Sequence, residues 1–66
     1  MKNEFEDRLI YHVVEVIRDQ ITVVHETDEL DEARDHAYDH AVKTGLMVEI
    51  RNEFGRILER LHIWRE

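Results

Sequence analysis

The residues best suited to chemistry in this chain are its five histidines. Two of them, His36 and His40, stand four positions apart in Asp35-His36-Ala37-Tyr38-Asp39-His40. On a helix that spacing puts both rings on one flank. Imidazoles so placed can share one metal ion, as in zinc-binding helices, and Glu32, one turn before His36, can add a carboxylate. A third and a fourth protein ligand must still be found. The preferred reading of Glu32, His36 and His40 is therefore a solvated flank mixing charge and histidine, which predicts no cofactor and no stabilisation by zinc.

A second constellation is His12, Arg60, His62 and Trp64, with Val14 and Val16 beside them. If the first and last strands are neighbours, these residues meet on one sheet face, where an aromatic beside an arginine can stack on a base or on a partner side chain. The plainer reading is a partly covered face whose long side chains shield its apolar residues. A third group, Arg51, Arg56, Arg60 and Arg65, gathers basic charge near the C-terminus of an acidic chain.

Little in the sequence suits catalysis. There is no serine, and Thr22, Thr27 and Thr44 fall where a strand, a helix cap and a helix end account for them. Gly45 and Gly55 are the only glycines, too few for a loop that cradles phosphate. The formal net charge is -7. An acidic surface repels phosphate backbones, and sequence-independent nucleic-acid binding needs lysine and arginine to displace counterions. A nucleic-acid role is thus the lesser alternative and would fall to the four arginines. No apolar run approaches the roughly 20 residues that span a bilayer. The first residues lack a signal-peptide apolar region, and cysteine is absent, which together lead us to expect a cytoplasmic protein.

The elements that must position these residues follow from the apolar pattern. Residues 1–8 are mostly charged and aperiodic and read as a flexible arm before a single domain over 9–66. Leu9 to Ile17 is rich in β-branched residues and reads as a strand, apolar on both parities. Arg18-Asp19-Gln20 breaks it, and Ile21 to His25 returns as the second strand of a hairpin. Thr27 or Asp28 can cap a helix over Glu29–Thr44, with acidic residues in its first turn and Gly45 ending it in the left-handed conformation. Leu30, Ala33, Ala37 and Ala41 recur at helical spacing, so an alanine stripe faces the sheet. Leu46 to Ile50 is a third strand. Asn52-Glu53-Phe54-Gly55 is a tight turn with Gly55 at positive φ. Ile57 to Trp64 is a fourth strand, with Ile57, Leu61 and Ile63 on one face and Glu59 marking an edge or strand end. The class is α+β, ββαββ, one helix on one face of a four-stranded sheet. The link through the helix resembles a crossover between parallel strands.

Tyr11-His12-Val13-Val14, Thr27 before an alanine-rich helix, a strand ending near Ile50, and Gly55-Arg56-Ile57 resemble a family of short bacterial proteins of unassigned function. That family opens with Tyr-His-Val-Val and closes a last hairpin with a Gly-Arg-Ile turn. The resemblance covers about Tyr11 to Leu61. It departs in the second strand, where the family's tryptophan-bearing segment is Ile21-Thr22-Val23-Val24 here, and in the turn, where Phe54-Gly55 replaces Asp-Gly. The resemblance implies the ββαββ fold and no known activity.

One helix covers one face of a sheet, and a partly apolar open face often marks a partner. A chain of 66 residues without disulfides gains most from such cover. The expectation is a non-catalytic interaction module that self-associates or binds another protein. His12, Val14, Val16, Arg60, His62 and Trp64 would form the face.

Overall fold

The computed structural model describes residues 9–63. The arm expected over residues 1–8, and Trp64 and Arg65 from the two candidate groups, lie outside the described residues. Within them the order is ββαββ: β1 (Tyr11–Ile17), β2 (Gln20–Thr27), α1 (Leu30–Thr44), β3 (Met47–Asn52) and β4 (Ile57–Leu61). The strands form one sheet in the order β2-β1-β3-β4, with every neighbouring pair antiparallel. β2 and β3 therefore run parallel on either side of β1, and α1 crosses over β1 between them.

The condition set for the second constellation is not met: β1 and β4 are not neighbours, because β3 lies between them. Part of the reason is visible in β1 itself, although nothing in it chooses between β3 and β4. A strand apolar on both parities suits the interior of a sheet. With one edge of β1 taken by the β1–β2 hairpin, β3 docks on the other, and β4 is left at the outer edge.

The core is where α1 meets the sheet. Ala33, Ala37 and Ala41 are fully buried against Val13, Val48 and Ile50. Tyr11, Leu30, Leu61 and Ile63 close the rim. Three alanines one turn apart have no long side chain to hold the helix away, so α1 sits close on the strands.

The helix ends differ in how they are made. Gly45 takes φ 72°, the left-handed conformation that the sequence predicts, and its N–H donates to the Ala41 carbonyl at 2.8 Å. The N-terminus departs: the capping position is Glu29, with no side-chain cap. Thr27 acts earlier, its hydroxyl oxygen accepting from the Glu29 N–H at 3.1 Å. The hairpin between β1 and β2 turns on Arg18 at φ 55°, a left-handed conformation that costs an L-residue about 1–2 kcal/mol.

At the β3–β4 turn, the Asn52 side-chain oxygen accepts from the N–H groups of Phe54 and Arg56, both at 2.9 Å. Gly55 sits there at φ 86°. A Cβ at Gly55 would meet nothing within 4 Å, so the cost of adding one is conformational alone. Gly55→Ala should lower stability by about 1–2 kcal/mol, against the roughly 0.4–1 kcal/mol that the same change gains at compatible sites. Denaturant unfolding of the pair checks this, and a stabilised variant would overturn the turn.

Candidate interaction face and histidine cluster

Two β-bulges decide which side chains share a face. Val13 pairs with His25 and Val14 with Val23, leaving Val24 as the extra residue of β2. Ile50 pairs with Glu59 and Arg51 with Ile57, leaving Leu58 extra in β4. A bulge reverses the parity of the residues beyond it. Alternation alone groups Ile57 with Leu61 and Ile63. The bulge instead puts Ile57 opposite Arg51 on the face away from α1. Glu59 takes a position on the helix side, where its carboxylate receives the Arg34 guanidinium at 2.6 Å.

The face away from α1 is crossed by three rows of paired residues. The first is Glu26, His12, Arg51 and Ile57; the second Val23, Val14, Glu49 and Arg60; the third Ile21, Val16 and Met47. His12, Val14, Val16 and Arg60 thus share one face, as expected, with β3 inserted between them. His62 follows the end of β4. One corner of the face is aliphatic and open, with Ile21 47% and Val23 51% exposed. The other corner is charged and internally paired.

That pairing centres on Glu49, which is only 3% exposed although it lies on the uncovered face. Arg51 donates to its Oε1 from Nε at 2.9 Å and from Nη2 at 2.7 Å. Arg60 donates to its Oε2 from Nε at 3.0 Å. Burial by itself pushes the Glu49 carboxyl pKa up, but the hydrogen bonds and positive charge of Arg51 and Arg60 outweigh it and hold the pKa below the ordinary 4.5. Two of the four arginines offered for nucleic-acid contact are therefore spent on a carboxylate. Arg56 is exposed at the turn.

The candidate helical pair His36 and His40 is divided between two neighbours. His40 Nε2 meets Glu15 Oε1 on β1 at 2.7 Å, part-buried, and so ties α1 to the sheet. His36 instead stacks its ring on His25, with centroids 3.6 Å apart and planes 20° from parallel. His25 Nε2 lies 3.0 Å from Glu32 Oε2. Hydrogen bonds from His25 and then Thr27 are the chief reasons the Glu32 carboxyl pKa is lowered. Among the described residues, one group of three has donor atoms all within 4.8 Å of one another: His25, Glu32 and His36. His25 escaped the sequence reading because strict alternation puts it on the same face as Val23. Only the bulge at Val24 turns it toward α1. Glu49 escaped it because nothing local says that two arginines close over it.

No protein-family model matches the chain, nor does any curated protein or any solved structure. Among the described residues, no helix is long and apolar enough to cross a membrane. The face and the histidine cluster must be argued from their own geometry.

Proposed function

We propose that this chain is a non-catalytic, cytoplasmic interaction module that associates with a second copy of itself through the open face of its sheet. The observation that carries the reading is the aliphatic corner in which exposed Ile21 and Val23 and half-buried Val16 and Met47 surround the buried Val14, beside a charged corner already neutralised within the fold. A buried apolar patch gives about 25 cal/mol per Å2 removed from water.

Charge selects the occupant. Among the described residues paired into the sheet, this face carries two acids, Glu26 and Glu49, and two bases, Arg51 and Arg60. The chain as a whole carries -7. Its excess acid therefore lies elsewhere, including Asp31, Glu32, Asp35 and Asp39 on α1. Two copies repel each other through most of their surface and can approach through this face without that penalty. A two-fold dimer uses the patch twice. The same charge pattern disfavours nucleic acid, since Arg51 and Arg60 are engaged by Glu49.

Strands about 4.8 Å apart and roughly 20 Å long give four strands a face of roughly 400 Å2 in projection. Two such faces sit at the low end of specific interfaces, so association at about 10–100 µM is expected. Sedimentation over a concentration series should show the weight-average mass rising from 8.0 kDa toward twice that value. Val23→Lys, which sets a charge in the aliphatic corner, should keep the chain monomeric while leaving its far-UV spectrum unchanged. A parent chain that stays monomeric at several hundred micromolar, or a Val23→Lys variant that associates like the parent, overturns self-association through this face.

A further inference from the structure

We propose that His25, Glu32 and His36 bind one divalent transition-metal ion, of which zinc is the natural probe, and that the ion staples β2 to α1. The site is built from two elements. The bulge at Val24 turns His25 toward the helix, and Glu32 and His36 stand one turn apart on the flank that receives it. His25 supplies the third donor that the helix alone lacks.

The distances suit an ion. Zinc holds nitrogen and oxygen at about 2.0–2.2 Å, which places donors of a tetrahedral shell roughly 3.3–3.5 Å apart. His25 Nε2 and Glu32 Oε2 are already 3.0 Å apart, and the His25 and His36 rings are 3.6 Å apart. Since all three donor atoms lie within 4.8 Å of one another, the widest pair needs to close by at most about 1.5 Å. Glu32 and His36 are exposed and His25 is half-buried, so rotation of side chains can supply that movement with the backbone fixed. The stacked rings, 20° from parallel, must tilt further or slide for both lone pairs to converge on one ion.

The donor chemistry is also selective. Two imidazoles and a carboxylate suit zinc, cobalt, nickel or copper rather than magnesium or calcium, which take oxygen ligands. Glu32 accepts from His25 through Oε2 and would turn the same oxygen to the ion. The fourth position faces solvent and takes water. Two further histidine–carboxylate contacts, His12 with Glu26 and His40 with Glu15, have one imidazole each and serve as internal comparisons.

Calorimetric titration of the full chain with zinc chloride, in a buffer that does not chelate, should give one ion per chain with micromolar affinity. Zinc at 100-fold excess over its dissociation constant should raise Tm by at least about 5 °C, since the ion binds the native state preferentially. His25→Ala and His36→Ala should each weaken binding by about 100-fold or more, beyond the 10–100-fold typical of outer residues that only orient ligands. His40→Gln should bind like the parent. Far-UV spectra and metal-free unfolding of each variant separate a lost ligand from a lost fold. Glu32→Gln, a third ligand variant at an exposed position, should weaken binding while leaving the metal-free stability near that of the parent. No saturable binding below 1 mM zinc, or binding that survives both His25→Ala and His36→Ala, overturns the site.

Discussion

Replacing Glu49 with alanine is expected to lower the stability of the domain by about 3 kcal/mol, the lower end of what breaking a buried ion pair costs. The lower end applies because the two arginines differ in exposure. Arg51 has a side chain 22% exposed and loses both of its hydrogen bonds, whereas Arg60, at 56%, can turn to water. The loss comes from leaving the part-buried Arg51 guanidinium without the two hydrogen bonds that Glu49 accepts from it. Denaturant unfolding at pH 7 measures it, and a loss under about 0.5 kcal/mol would mean that water serves these arginines as well as Glu49 does.

The same pairing fixes a pH dependence. The Glu49 carboxyl pKa is lowered on folding, so the folded chain binds that proton more weakly than the unfolded chain does. Its contribution is complete above the unfolded value of 4.5 and is lost as pH falls from there through the folded pKa. Glu32 acts in the same direction, at an exposed position where screening keeps the effect small. In Glu49→Gln the acid limb of the stability curve should be shallower than in the parent, which an acid titration of unfolding checks.

Much of the fold was legible in the apolar pattern, for reasons that local residues carry. The alanine stripe, the left-handed Gly45 and Gly55, and the two hairpins each follow from a few adjacent positions. What escaped depended on a single inserted residue. Val24 and Leu58 are ordinary strand residues, and nothing in their type marks them as bulges. Yet each reverses the faces of its neighbours. The bulge at Val24 moves His25 from the open face to the helix, and the bulge at Leu58 moves Ile57 the opposite way. Strand order escaped for a different reason. Whether β3 or β4 docks on β1 is a contest between long-range pairings that no local signal decides. The helical spacing of His36 and His40 was right, but their partners sit on β2 and β1, and those partners divide the pair. An apolar face away from α1 was expected from β1, and there Val16 stays half-buried while neighbours on the sheet bury Val14.

The alanine stripe leads to the other large effect. Ala37 is the middle of the three buried alanines, flanked one turn away on each side by Ala33 and Ala41. A leucine there adds three carbons against Val13, Val48 and Ile50, which are themselves fully buried. Interiors are packed as densely as organic crystals, so no void exists to take them. Either a neighbour leaves its preferred rotamer or the helix rises. Lifting α1 strains the contacts that pin it to both sides of the sheet, His40 with Glu15 at 2.7 Å and Arg34 with Glu59 at 2.6 Å. Ala37→Leu should therefore cost about 1–3 kcal/mol, with the upper part of that range favoured by the double tether. Asp35 and Asp39, two residues away on either side, are exposed, so Asp35→Ala and Asp39→Ala should leave stability within about 0.5 kcal/mol of the parent. An Ala37→Leu variant that unfolds at the parent's denaturant midpoint would mean that α1 presents a different face to the sheet. The donor set His25, Glu32 and His36 depends on the same helix phase and would fall with it.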